Sequence, residues 1–241
     1  MSKPYLTIFI ALTSFLLAFI PTKAGSKNAS RTYILSSNLT DHSYKTASRL
    51  LYDSLKLNQF GLSLETLEYA YKGYEHLENK GRLKNPSVLT ICDFSKSSVE
   101  KRMYIIDVAN YKMLLNTYVA HGKNSGGEYA RRFSNKVKSL ASSLGFFVTK
   151  NSYHGKHGLS LKLAGLEPGY NDKAEQRAVV IHGAPYIGDN VHSEFMGRSF
   201  GCPAVPKAQA SKVISLIKDG TCLFIYHPSA SYLHGSKILN G

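Results

Sequence analysis

The spacing of apolar residues changes character once along the chain, between Gly81 and Ser87. Before that point they recur at intervals of three and four, the period of a helix with one buried side. Two helices are predicted there. The first spans about His42 to Leu57, carries Leu50, Leu51 and Leu55 on one side, and takes Asp41 as its cap. The second follows Ser63, a good N-cap, runs through Leu64, Leu67, Tyr71, Tyr74 and Leu77, and stops at Gly81. Aromatic residues at that spacing are expected to pack against a core.

After Ser87 the apolar residues come in short runs rich in β-branched side chains. Val88 to Phe94, Met103 to Val108 and Met113 to Val119 read as strands, the last two joined through a turn at Asn110. Leu144 to Thr149 and Leu159 to Leu163 flank a glycine- and histidine-bearing stretch. Ala178 to Ile181 is another strand and ends in His182. Pro206 opens a helix containing Val213, Ile214, Leu216 and Ile217, which ends at Gly220, and Cys222 to Tyr226 is the last strand. Strands outnumber helices, so the fold predicted is mainly β (α+β): a β-sandwich or partly closed barrel with a helical lead-in. The polar loop from His121 to Asn135 is long enough to be a functional rim or a lid.

The first residues belong to none of these elements. Lys3 gives a positive start, Tyr5 to Ile20 is an uncharged apolar run, and the run is followed by Pro21-Thr22-Lys23-Ala24. This pattern predicts a signal peptide over 1–24 and export to the periplasm or beyond the cell. No stable membrane anchor is expected after cleavage, since the run is short for a span. A polar linker covers 25–38, the helical lead-in 39–84, the strand-rich domain 85–228 and a C-terminal tail 229–241. Loss of residues 1–24 removes Lys3 and Lys23 and no acid, so the net charge of +14 becomes +12. A charge of that size draws the protein towards polyanions. Nucleic acid is set aside as a partner because export separates the two, and anionic envelope polymers fit the compartment.

Candidate chemistry gathers between Arg177 and Pro206. Cys202 lies in Ser199-Phe200-Gly201-Cys202-Pro203, among small and turn-forming residues that leave its sulfur approachable. An imidazole within reach can take a thiol's proton and later return it to a leaving amine, and His182 ends the preceding strand. A buried, inert cysteine and a satisfied histidine are the alternative. The chain has three cysteines, so one stays free whether or not Cys92 and Cys222 pair; buried thiols are expected for those two. His154 and His157, with His182 or His192, lack the helical spacing of a hydrolytic zinc site, and no metal is expected.

The order His182, sixteen residues from Gly183 to Arg198, then Ser199-x-Gly201-Cys202 resembles the catalytic signature of the L,D-transpeptidases of peptidoglycan. Further stretches, among them Asp93-Phe94-Ser95, Val119-Ala120-His121-Gly122, Gly155-Lys156-His157-Gly158 and Gly201-Cys202-Pro203-Ala204, are similar to the murein L,D-transpeptidase catalytic domain family over about Leu39 to Tyr226. The resemblance implies an L,D-transpeptidase-like β fold with a helix after the nucleophile. It also implies acyl transfer between peptidoglycan peptide stems without metal or dissociable cofactor. Cys202 would be the nucleophile and His182 the base; Gly201, Ser199 and Gly183 would serve the oxyanion and positioning; His157, Arg198 and Phe200 would line the substrate groove. Phe200 stands where better-studied members carry a second histidine, and Ala204 where they carry Asn or Arg. Arg198 is either a replacement for that guanidinium from the other side or a solvated loop charge. Two other readings are a cysteine peptidase, which places its cysteine before its histidine, and a non-catalytic wall-binding module.

Overall fold

The computed structural model describes residues 43–189, 191 and 194–241; the predicted leader, the linker, Asp41 and His192 lie outside them. Helix α1 covers 43–54 and buries Tyr44, Ser48 and Leu51, a stripe at spacings of four and three. That stripe corrects the predicted one. Leu50 lies off it and is exposed. Helix α2 (Leu64–Asn79) starts as expected: Ser63 accepts a hydrogen bond from the Thr66 amide at 3.1 Å. Its buried side comprises Leu67, Ala70, Tyr74 and Leu77. Gly73 lies on the same side because a Cβ there would come within 2.0 Å of the Phe146 ring.

Eight strands follow: β1 (Val88–Asp93), β2 (Met103–Asp107), β3 (Lys112–Thr117), β4 (Gly145–Gly155), β5 (Gly158–Gly165), β6 (Val180–Ala184), β7 (Ala204–Pro206) and β8 (Cys222–Tyr226). They form one sheet in the order β3-β2-β1-β8-β4-β5-β6-β7. β8 is inserted between β1, to which it runs parallel, and β4, to which it runs antiparallel. Both β1 and β8 are buried along their whole length, which is why β8 reads as an unbroken apolar run and β1 as one interrupted only by Thr90 and Asp93. The sheet curls until its ends meet. Just beyond β3, the Ala120 amide donates to the Ala204 carbonyl of β7 at 2.8 Å, giving a nearly closed barrel.

Helix α2 packs on β1 and β8, and α3 (Ala210–Ile217) packs on β1, β5 and β6. Phe146 of β4 stacks on Phe224 of β8 at 4.1 Å in a core shared by helices and sheet. Burying each such ring contributes about 2–3 kcal/mol. Pro206 ends a strand and precedes the 3₁₀ turn Lys207–Gln209, so the helix begins at Ala210, later than predicted. The stretch 151–158 continues β4 and β5 as a long hairpin turning at Lys156-His157.

The C-terminal segment 229–241, named a tail above, folds into α4 (Ala230–Gly235) and α5 (Lys237–Asn240). Tyr232 and Leu239 are buried in the main core. Tyr232 donates to the buried Glu167 carboxylate at 2.9 Å, as does Ser236, and the same carboxylate accepts from the Phe146 amide at 2.7 Å. One buried acid thus ties the chain's end to β4.

Candidate active site

β6 lies between β5 and β7. Val179, just before it, and Ile181 within it pack into the core, whereas Ala178 of the preceding turn and Val180 and His182 of the strand line a cleft of about 330 Å³. In the ladder His182 lies between Ser160 of β5 and Ala204 of β7. Because β6 and β7 run parallel, the residue two before Ala204 is level with Val180. That residue is Cys202, and its Sγ accepts from the Val180 amide at 3.5 Å and donates to the Ala178 carbonyl at 3.7 Å. Ala178 adopts φ 52°, a strained value for a residue with a Cβ, directly beneath the sulfur.

His182 Nδ1 lies 3.1 Å from the Gly183 carbonyl. A carbonyl only accepts, so Nδ1 carries the proton and Nε2 keeps its lone pair. Burial, then the neighbouring His157 and Lys156, push the His182 pKa down, so the ring is neutral near neutral pH. Burial pushes the Cys202 thiol up, while the Val180 amide, Arg177 and Lys156 oppose that rise. The resting pair is therefore a thiol and a neutral imidazole in one cleft, with no hydrogen bond between them among the described residues.

The other predicted residues fall into place unequally. The Ser199 hydroxyl bonds within its own turn and, among the described residues, not to the imidazole: it donates to the Cys202 carbonyl at 2.6 Å and accepts from the Gly201 amide at 3.0 Å. The Gly201 N–H is thereby engaged, whereas the N–H groups of Phe200 and Cys202 have no partner among the described residues. Gly183 orients the His182 ring through its carbonyl. His157, at the hairpin tip, stacks on His182 with ring centroids 4.4 Å apart. Phe200 is 68% exposed at the cleft rim beneath Lys123, and Arg198 donates to the Gly126 carbonyl at 3.0 Å. Among the described residues no three His, Cys, Asp or Glu side chains converge as metal ligands. Cys92 and Cys222 are free and buried.

The guanidinium beside the Cys202 turn is that of Arg177, which sequence reasoning did not single out. Arg177 donates to the carbonyls of Ser134 at 2.6 Å and Ala141 at 2.5 Å, to Ser139 at 3.1 Å, and to Ser143. Its Nη2 and the Ala141 carbonyl close on Gly201, where a Cβ would meet them at 3.3 and 2.9 Å; φ is +121° there. Nothing in the sequence marks this arginine, because its partners lie 34–43 residues away. Tyr186 also lines the cleft, and burial together with Cys202 raises its pKa.

The loop from His121 supports the turn from behind. Ser199 donates to the His121 carbonyl at 3.0 Å, and the Lys123 amide donates to the Ser199 carbonyl at 2.8 Å. The His121 ring is fully buried and accepts at Nδ1 from Arg102 at 2.8 Å; Arg102 also lies over Phe94 at 4.9 Å. The loop expected as a rim therefore begins as a foundation for the Ser199–Cys202 turn.

A family model described as the L,D-transpeptidase catalytic domain matches residues 58–226. Among solved structures, the chain is similar to an L,D-transpeptidase from Mycobacterium smegmatis, at 11% identity and a TM-score of 0.38 over 58% of this chain and 59% of that one. It is likewise similar to the Ldtfm-avibactam carbamoyl enzyme, at 12% identity and 0.37 over 59% and 50%. A third similar structure is L,D-transpeptidase LdtMt1 in complex with imipenem, at 12% identity and 0.36 over 58% and 59%. The chain thus spans between half and three fifths of those proteins. A comparison with curated proteins finds no match.

Proposed function

The chain belongs to the L,D-transpeptidase catalytic domain family, and from that premise we propose that it is an exported enzyme that transfers acyl groups between peptidoglycan stems through Cys202. The observation that carries the proposal is the pairing in one cleft of an approachable thiol with a neutral imidazole whose Nδ1 is already bonded to Gly183. Family membership supports peptidoglycan as the substrate. The leader pattern in residues 1–24 supports export.

In the proposed cycle Cys202 Sγ leaves the Val180 amide and Ala178 carbonyl by rotating about its Cα–Cβ bond. His182 Nε2 takes its proton, and the thiolate attacks the carbonyl of the third residue of a tetrapeptide stem. Such nucleophile–base contacts are often loose before substrate binds. The Cys202 N–H stabilises the developing oxyanion, a contribution of about 3 kcal/mol. The tetrahedral intermediate collapses by breaking the C–N bond. The imidazolium returns its proton to the departing D-alanine amine, and a thioester remains. The amine of a neighbouring stem attacks that thioester, His182 accepts the amine's proton and returns it to the sulfur, and a 3-3 cross-link forms. Water in place of the amine gives carboxypeptidase trimming.

The test is incubation with purified sacculi and mass analysis of muropeptides, wild type against Cys202→Ala. New 3-3 dimers from the wild type alone support transpeptidation, and tripeptides alone support trimming. A carbapenem adduct on Cys202 is expected; an unmodified protein that binds sacculi tightly would favour a non-catalytic module.

A further inference from the structure

On the far side of the segment that Arg177 staples, 134–143, lies a larger groove of about 640 Å³. Ser134 is shared: it lines this groove, and its carbonyl accepts from Arg177 of the catalytic cleft. Arg131, Lys136 and Lys173 line the groove, and no ion pair among the described residues involves any of them. Its one carboxylate, Asp172, accepts on Oδ1 from the Asn135 amide group at 2.7 Å and from the Gly169 N–H at 2.7 Å, and the three cations outnumber it. Three exposed cations thus face a cavity in the size range of ligand sites.

Phe133, Tyr170 and Tyr232 also line the groove, and the first two are held in place. Phe133 packs on His227 at 5.0 Å, and the Tyr170 hydroxyl donates to the Ser231 carbonyl at 2.8 Å. Fixed apolar faces between separate cations suit side-chain methyl and methylene groups alternating with carboxylates. A chain of phosphates has no apolar parts to place there. The fork of Arg131 matches a carboxylate in two bonds.

We propose that this groove binds a carboxylate-bearing peptide strand, acting as a second site that holds the wall polymer while another of its stems reacts at Cys202. The inference rests on the substrate reading above for the identity of the polymer, and on the groove alone for the chemistry of the ligand. Tethering at this site raises the local concentration of stems at the cleft without adding a contact there.

The test uses the full chain carrying Cys202→Ala, so that nothing turns over, titrated with tetraglutamate, tetraglutamine and inorganic tripolyphosphate. Tetraglutamate is expected to bind, tetraglutamine not, and tripolyphosphate more weakly than tetraglutamate. Affinity for tetraglutamate falls as salt rises. Adding Arg131→Gln, Lys136→Gln and Lys173→Gln together weakens it about tenfold, the combined effect of three exposed ion pairs of ordinary strength. The inference is overturned by equal binding of tetraglutamine, by tighter binding of tripolyphosphate, or by unchanged affinity in the triple variant. Should the triple variant lose its thermal transition, Lys136→Gln and Lys173→Gln singly carry the test, each weakening binding about twofold. Absence of a carbapenem adduct on otherwise wild-type protein, with tetraglutamate binding intact, would sink the substrate reading and leave the groove standing.

Discussion

Replacing Arg177 by Met tests whether one guanidinium both braces the nucleophile turn and favours its thiolate. Met keeps much of the side-chain length and removes every donor. Four acceptors lose a partner: two backbone carbonyls and two hydroxyls. A hydrogen bond from a charged donor contributes at least about 1.5 kcal/mol, so four would amount to about 6 kcal/mol in a dry setting. Arg177 is only half-buried, and water can take over part of that bonding, so a loss of about 3 kcal/mol is expected. For a folded unit of this size that lowers Tm by about 6–12 °C. Removing the cation also removes an influence that favours ionised Cys202, so the thiol titrates at higher pH. The assay pairs thermal melting with iodoacetamide alkylation followed between about pH 6 and 10. Arg177→Met should melt earlier and alkylate with a midpoint at higher pH. Arg177→Lys, which keeps charge but not the fork, should retain the midpoint and lose part of the stability. A Met variant with wild-type melting and an unmoved alkylation midpoint would refute the reasoning.

Three other outcomes are expected. Gly201→Ala forces a Cβ to 2.9 Å from the Ala141 carbonyl at φ +121°, a backbone strain of about 1–3 kcal/mol before the clash is counted; slower alkylation of Cys202 in a folded protein checks it. Burial, reinforced by Arg102, pushes His121 from the ordinary 6.5 down to about 4. The unfolded chain therefore binds the extra proton, and stability present above about pH 6.5 is lost towards pH 4, by up to about 3 kcal/mol. The buried Asp93 and Glu167, whose pKa values burial raises, act in the opposite sense, so the measurement is the difference in urea midpoints between wild type and His121→Gln across that window. No difference would contradict the assignment. Finally, Glu167→Ala strips the acceptor from the Phe146 amide and the Tyr232 and Ser236 hydroxyls, costing about 3–5 kcal/mol and releasing α4 and α5 to protease; a C-terminus still protected would count against it.

How much was legible depended on the range of the cause. Helix α2, its Ser63 cap and the strands β1, β2 and β8 are set by neighbours within a few residues, and local periodicity reveals them. Cys202 and His182 were visible because glycine, proline and a strand end are local signals. β7 escaped notice because three residues hold too little pattern, and they are a strand only through pairing with β6. The segment 229–241 read as a tail because its burial depends on a carboxylate more than sixty residues away.

The sequence alone determined which residue types stand beside Cys202 and that a strand ends near His182. Tertiary structure decided that β8 is inserted beside β1, that the sheet ends meet at Ala120 and Ala204, and that Arg177 and not Arg198 lies against Gly201. Those outcomes turn on which distant segments share a ladder or a hydrogen bond, and backbone pairing carries no mark in the side chains that make it.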